Sequence, residues 1–310
     1  MRKLLLKMLN KISPSLEKKC GEVWVNYWMN KDPRILANRS FKSVFKRNID
    51  WNNPKNLIEK IFWLQIYSDT SIWTKCADKY LVREYVKEKG CGDSLNELYG
   101  KWDSAEDIDY DILPNSFVLK TNHGCGQVLL VKDKSKLKID ETNRQLSEWM
   151  NQKYGYSSVQ LHYTRIRPCI IAEKLFINEN NPQHSLIDYK IWCFNGVPEC
   201  ILVVFNRTSF GYKLSSYDLK WNNISSKIFN SSVNSISGID VPKPQSFDQM
   251  IDISKKLSKG LPEVRVDFYD INGKAVFGEM TFSTAFGYYT DEYYEYLGSK
   301  VDLSIANSKN

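Results

Sequence analysis

The chain has 310 residues, 42% hydrophobic, 25% charged and 13% aromatic, with 15 Gly and 10 Pro. That is about two domains' worth of chain with a sizeable core, and it excludes a disulfide-stapled miniprotein, a collagen-like chain and a largely disordered one. The net charge of +7 is uneven: residues 1–60 hold 14 Lys and Arg against 5 Asp and Glu, and the other 250 hold 29 against 31.

Basicity confined to one end, with no basic stripe on a later element, argues against nucleic acid as a partner. The start, MRKLLLKMLNKI, is amphipathic as a helix: Leu4, Leu5, Met8, Leu9 and Ile12 share a face ringed by Arg2, Lys3, Lys7 and Lys11. Lysines interrupt the apolar run and no small-residue cleavage site follows, so it does not read as a secretion signal. Residues 1–12 are the candidate for peripheral contact with an anionic membrane surface; the plainer expectation is a short helix packed on its own domain. No apolar run of about 18 residues occurs, so no membrane-spanning helix is expected. Seven cysteines without a C-x-x-C pair, and three scattered histidines (His123, His162, His184), give neither a zinc site nor a Cys/His nucleophile pair. They fit a reducing cytoplasm.

Residues 16–67 read as helical and aromatic. TKCADKYLVREYVKEKG, residues 74–90, reads as one helix closed by Gly90. The acidic WDSAEDIDYDILP, ending at Pro114, reads as a boundary. Strands are predicted at FVLKT, QVLLVKD, PCIIAEKLF, DYKIWCF and ECILVVF. The Ser- and Asn-rich stretch 206–245 reads as surface loop. IDISKKLSKGLP then reads as a helix and VRVDFYDINGKAVFGEMTF as a hairpin.

Three local patterns carry chemistry. In the first, a strand ending at Lys120 runs into Asn122, His123, Gly124, Cys125 and Gly126. Glycines in a tight loop let backbone N–H groups approach an anion, and a neighbouring lysine suits a polyphosphate. No helix follows, so this is neither a Walker A loop nor a dinucleotide fingerprint, and an ordinary Gly-bearing hairpin is the plainer reading. In the second, the last hairpin puts Arg265, Asp267 and Tyr269 on one face of its first strand, and alternates Phe277, Glu279 and Thr281 along the other. A two-residue Asn272-Gly273 turn would set Asp267 and Glu279 on opposite faces. A three-residue loop, Ile271 to Gly273 with Gly273 left-handed, would set them on one, and that is the expectation. Asp267, Glu279 and Thr281 then form an oxygen set for Mg2+, against the plainer reading of a solvated charged edge. In the third, a strand leaving its sheet at Glu173 can offer backbone groups of Glu173, Lys174, Leu175 and Phe176 to a purine edge, while Asp188 and Lys190 share a face suited to ribose and phosphate. Two rival readings remain. Asp107-Ile108-Asp109 formally fits the D-x-D of a sugar-nucleotide glycosyltransferase, and scattered Tyr and Trp allow a non-enzymatic polysaccharide binder.

The order of these patterns resembles the ATP-grasp superfamily. ADKYLVREYVKEKG, LPNSFVLKTNHGCG, IIAEKLF, DYKIWCFNG and VRVDFYDINGKAVFGEMTF, spread over about residues 60–290, resemble its TupA-like branch, associated with teichuronopeptide and other cell-surface polysaccharide synthesis. The resemblance implies an α+β ATP-grasp fold, with subdomains at 116–176 and 177–310 clamping ATP. A basic helical region 1–60 and a helical region 61–115 would precede them. It implies Lys120 at the α-phosphate and purine side, and the loop His123, Gly124, Cys125 and Gly126 over the β- and γ-phosphates. Adenine would lie at Glu173, Lys174, Leu175 and Phe176, ribose at Asp188 and a phosphate at Lys190. Arg265 would face the transferring phosphoryl group, and Mg2+ would sit on Asp267 and Glu279. Thr281 stands where such enzymes carry Asn, as the third ligand. The implied reaction is carboxylate–amine ligation: a carboxylate attacks the γ-phosphate of ATP, giving an acylphosphate and ADP, and an amine then displaces phosphate. The expected carboxylate is a hexuronic acid of a polysaccharide or lipid-linked sugar acceptor, joined to a small-molecule amine, in the cytoplasm or at the inner membrane face. Arg165, Arg167 and Arg207 are candidates to hold it. Nothing in the sequence sets an oligomeric state.

Overall fold

The computed structural model describes residues 14–177, 185–208, 210–231, 235–236 and 239–307, with side chains from residue 19 on. The segment 1–12 singled out above lies outside the described residues. Among those residues, no helix is long and apolar enough to cross a membrane.

Among the described residues, three helices come first: α1 Pro14–Lys31, α2 Pro33–Phe45 and α3 Leu57–Tyr67. Local chemistry sets where they start. Asp32 accepts a hydrogen bond from the Arg34 N–H, and Pro33 fills the first position of α2, where no N–H is needed. Asn56 and Glu59 form a reciprocal capping box at α3. Leu36, Ala37, Phe41 and Phe45 of α2 and Ile58, Ile61 and Phe62 of α3 are buried in the main core.

The stretch expected as one helix over 74–90 is two, α4 Ser71–Ala77 and α5 Val82–Glu88. Asp78 breaks it. Its Oδ1 accepts hydrogen bonds from the N–H groups of Tyr80 and Leu81, at 2.8 and 3.1 Å, so the side chain competes with the helical ladder. Its Oδ2 accepts from Asn122 Nδ2 at 2.9 Å, tying the break to the Gly-bearing loop.

A four-stranded antiparallel sheet follows, in the order β1-β4-β2-β3, from β1 Leu98–Trp102, β2 Phe117–Thr121, β3 Val128–Val131 and β4 Ile170–Glu173. The region 61–115, read as helical, thus also supplies a strand. Helix α6 Ile139–Met150 covers this sheet, and a small second core joins Phe117, Leu119, Ile170, Ala172 and Leu146. Ile108, Tyr110 and Leu113 of the acidic stretch fold back into that core.

The second sheet has five antiparallel strands in the order β7-β6-β5-β8-β9: β5 Asp188–Phe194, β6 Val197–Thr208, β7 Gly211–Tyr217, β8 Val264–Ile271 and β9 Lys274–Thr281. Strand β7 corrects the loop expectation for 206–245. Ser215 and Ser216 are buried there, and Ser216 Oγ donates to the Ile201 carbonyl at 2.9 Å, so small hydroxyls take positions usually held by apolar groups. Short helix α7 Ser225–Ile228, then α8 Phe247–Ser258 and α9 Asp291–Lys300, complete a mixed α+β molecule.

The last hairpin corrects another expectation and keeps its consequence. Its turn has two residues, Asn272 and Gly273, both at positive φ (53° and 78°), the geometry that suits a tight hairpin. A bulge then shifts the register: Phe268 pairs with Phe277 but Asp267 pairs with Glu279, leaving Gly278 as the extra residue. A Cβ at Gly278 would lie 3.1 Å from the Asp267 carbonyl oxygen, so the close approach favours glycine. The bulge, rather than a longer loop, brings the two carboxylates to one pair.

Candidate active site

A cleft of about 620 Å3 takes its walls from both sheets and from helix α5. One end is apolar. Val118, Val128 and Leu130 from β2 and β3 face Val276 and Phe277 of β9, and Leu175, Phe176 and Ile177 from the segment after β4 join them. That segment is fixed at Lys174, whose N–H donates to the Glu97 carbonyl at 3.0 Å and whose carbonyl accepts from Asn96 Nδ2 at 2.9 Å. Among the described residues, the main-chain groups of Leu175 and Phe176 carry no hydrogen bond. They are the ones suited to meet a base edge.

Lys120, Gly124, Cys125 and Gly126 line the cleft along the four-stranded sheet. Asn122 anchors the loop. It is buried, donates to Asp78 and to the Arg167 carbonyl, and accepts from the Cys169 N–H at 2.7 Å. His123 does not line the cleft, against its expected place on the nucleotide. Its buried ring turns back, with Nε2 3.1 Å from the Gln152 carbonyl, and burial pulls its pKa below the ordinary histidine value. It holds the loop from behind. Glu173 is shared by Lys120 Nζ at 2.8 Å and Arg83 Nη1 at 3.1 Å, so one carboxylate holds two cations in place and this wall keeps an excess of positive charge.

The five-stranded sheet supplies the charged wall. Asp267, 3% exposed, takes both Nε and Nη2 of Arg265 at 2.7 Å and pairs with Lys190, its cross-strand neighbour on β5. Burial alone would raise this carboxyl, but the two cations hold it below its ordinary value. Arg265 donates also to Thr281 Oγ1 at 3.1 Å and to Thr284 Oγ1 at 2.9 Å, and stands 3.7 Å from Glu279. Thr281 in turn donates to Glu279 Oε1 at 3.2 Å. Arg265 and Thr281 stand just behind the lining, while Asp267, Glu279, Lys190 and Asp188 reach it. Asp188 lies 2.7 Å from Arg207 Nη2 and 3.8 Å from Lys190. Burial and a hydrogen bond to Asp188 keep the Tyr269 phenol protonated, well above its ordinary value.

The donor set fits a magnesium ion shared with phosphates. Among the described residues no group of three His, Cys, Asp or Glu forms a self-sufficient metal site. Mg2+ at phosphates needs only one or two protein carboxylates, which Asp267 and Glu279 supply. Thr281 orients Glu279 through its hydroxyl.

Two site residues, Lys79 and Arg83, escaped sequence reasoning. Lys79 donates through Nζ to the Gly124 carbonyl at 2.5 Å and lines the cleft, and burial lowers its pKa. The helix break at Asp78 aims it there. Arg83, one turn on, reaches Glu173, and Tyr269 shares the face of Asp267. The Asp-Lys pair inside an apolar helical pattern was the available signal for Lys79. Of the three arginines expected to hold a carboxylate, only Arg207 lines the cleft. Arg165 instead ties Thr70 and Thr74 at the start of α4, and Arg167 is exposed elsewhere. Asp107 and Asp109 of the D-x-D stretch are exposed on a loop outside the cleft lining.

Known proteins were then compared with this chain. A D-alanine–D-alanine ligase from Bacillus anthracis complexed with ATP has a TM-score of 0.45 at 14% identity, covering 76% of this chain and 67% of that one. The ATP-grasp ligase PsnB complexed with a minimal precursor gives 0.37 at 10%, covering 72% and 60%. The D-cycloserine synthetase DcsG gives 0.38 at 11%, covering 76% and 67%. The chain thus spans about two thirds or less of these solved chains. No curated protein matches it. The family model described as TupA-like ATP-grasp matches residues 59–302, from α3 through the last hairpin to α9, and the chain belongs to that family.

Proposed function

We propose that the protein is an ATP-dependent carboxylate–amine ligase that activates a hexuronic acid of a surface polysaccharide, or of its lipid-linked precursor, for amide formation. The observation that supports this most is the meeting of Lys79, Lys120 and Lys190 with the Asp267–Glu279 pair around one cleft, in a chain of the ATP-grasp family.

In this reading the apolar end takes the base between Leu130, Phe176 and Phe277, with Asp188 toward the ribose hydroxyls. Lys79, Lys120 and the N–H groups of 124–126 neutralise the phosphates. Asp267 and Glu279 would hold Mg2+, which when bound would supply charge neutralisation at the phosphates. Arg265, behind the lining, orients Asp267 and Thr281. An oxygen of the acceptor carboxylate attacks γ-phosphorus as the bond to the bridging oxygen breaks, and ADP leaves. The amine nitrogen then attacks the acyl carbon, phosphate departs, and the nitrogen gives a proton to solvent. No protein nucleophile is needed, so catalysis rests on positioning and charge.

The test is mass spectrometry of the purified protein incubated with ATP, Mg2+, uronic-acid glycosides and free amino acids. The ligase reading predicts an amide adduct and ADP only when carboxylate and amine are both present. ADP release indifferent to both, or consumption of a sugar nucleotide without ATP, would refute it. No observation favours the glycosyltransferase alternative, since its aspartates lie off the cleft.

A further inference from the structure

We propose that a second cavity, between the N-terminal helices and the segment after α6, holds an anionic sugar polymer and is the acceptor-glycan site; this rests on the ligase reading above. The cavity measures about 1500 Å3. Small-molecule sites hold roughly 300–1,000 Å3, so this one suits several linked units rather than one.

Its chemistry matches a uronate chain. Arg39, Lys42 and Lys153 line it against a single acid, Glu22. The aromatic rings of Trp24 and Tyr156 line it too, each beside a cation: the Arg39 guanidinium lies 5.0 Å from the Trp24 centroid and the Lys153 ammonium 6.0 Å from that of Tyr156. Flat aromatic faces suit the C–H faces of pyranose rings, adjacent cations suit their carboxylates, and the side-chain amides that make up much of the remaining wall suit hydroxyls. Three cations set among amides fit the spaced charge of a glycan better than the dense charge of a nucleic acid.

Both walls pack on segments that support the reaction cleft. The 151–157 wall carries Gln152, whose carbonyl meets His123 Nε2 at 3.1 Å and whose Oε1 accepts from Gln127 Nε2 at 2.7 Å, bracketing the Gly124–Gly126 loop. Tyr154, on the same segment, lies beside Cys125 of that loop. The α2 wall packs on the chain after β9: Phe45 stacks on Phe286 at 6.0 Å, and a Cβ at Gly287 would come within 3.2 Å of Val44. That chain includes Thr284, the partner of Arg265. The cavity is therefore tied through its walls to the Gly124–Gly126 loop on one side and to Thr284, the partner of Arg265, on the other.

The experiment follows a fluorophore-labelled hexagalacturonate by anisotropy, with the full chain, its Arg39→Glu/Lys153→Glu variant and its Arg39→Lys/Lys153→Arg variant. Charge reversal is expected to weaken binding by about tenfold or more, while the conservative pair stays near the wild type and all three keep the same affinity for a Mg2+-bound, non-hydrolysable ATP analogue. Equal binding by the reversed variant, no binding by the wild type, or equal displacement by neutral maltohexaose or by oligouridylate would overturn the assignment. ADP formation with free galacturonate and an amine is measured alongside and reads the ligase assignment alone. If it occurs while the reversed variant binds hexagalacturonate like the wild type, only the groove fails. If it is absent while binding is lost as expected, only the ligase reading fails.

Discussion

The two walls of the cleft are built on different plans. The four-stranded sheet has a small core of its own and presents apolar side chains, a glycine-bearing loop and main-chain groups; its one carboxylate there, Glu173, is held between Lys120 and Arg83. The five-stranded sheet belongs to the main core and presents a lattice of ion pairs in which Asp267 alone engages Arg265 and Lys190. One wall is suited to recognising a nucleotide largely through backbone and shape, the other to handling charge through side chains. A substitution on the charged wall should therefore cost turnover, and one on the other wall should cost affinity.

The largest effect is expected at Glu279. Glu279→Gln removes one metal carboxylate whose side chain is 43% exposed, so ADP formation should fall by about a hundredfold or more while circular dichroism and unfolding midpoint stay put. Asp267→Asn should also abolish turnover. It leaves Arg265 and Lys190 facing a neutral amide, so stability should fall as well, by about 3 kcal/mol in urea titration. Turnover preserved in Glu279→Gln would break the contrast between the walls.

Next comes Lys120→Ala, expected to raise the KM for ATP about tenfold with a smaller change in kcat, because the lost cation serves binding. A fall in kcat alone would move Lys120 to the charged wall's role.

How much of this was legible in the sequence depends on which interactions set each feature. Strands β2 to β6, β8 and β9 show in their apolar runs, and Asp267, Glu279, Lys190 and Lys120 were singled out because alternation and glycine spacing are local signals. The pairing of Asp267 with Glu279 was reached through the wrong loop: the bulge at Gly278 depends on how two strands pack, and nothing within either strand announces it. The break at Asp78 was hidden because its stabilising partner, Asn122, lies 44 residues away. Strand β7 was missed because Ser215 and Ser216 look like loop residues until a neighbouring strand accepts their hydrogen bonds. His123 drew notice by its place in the loop, and only the fold shows Gln152 behind it.

A third effect is on stability and sits where the helical region meets the five-stranded sheet. His162 packs edge-on against Trp73 and Phe282, neither ring nitrogen is hydrogen-bonded among the described residues, and burial lowers its pKa to about 3. Between that value and the ordinary one near 6.5, the unfolded chain binds a proton that the folded chain refuses, so stability falls as pH drops. Going from pH 7.5 to 5 should cost about 2 kcal/mol from this site, and His162→Phe should remove that loss in urea titrations at the two pH values. Glu263 works with the opposite sign: burial raises its pKa, so its contribution is lost as pH rises above the ordinary carboxylate range. Comparing variant with wild type cancels it. Equal pH dependence in the two would show that the seam admits water.

The smallest effect is expected from Thr281→Val, which removes the hydroxyl between Arg265 and Glu279 without touching either charge. The Mg2+ concentration for half-maximal turnover should rise by about threefold to tenfold, from the loss of one orienting hydrogen bond of about 1 kcal/mol. An effect as large as that of Glu279→Gln would make the hydroxyl a ligand in its own right.

The central claim is that both sheets act on one nucleoside triphosphate. Calorimetric titration of the β,γ-imido analogue of ATP, with Mg2+, into wild type, Lys120→Ala and Glu279→Gln tests it most directly, because the two substitutions lie on opposite walls. The account predicts one site per chain, weakened by Lys120→Ala with or without the metal and by Glu279→Gln only when Mg2+ is present. Wild-type affinity in both variants, or no binding at all, would contradict it.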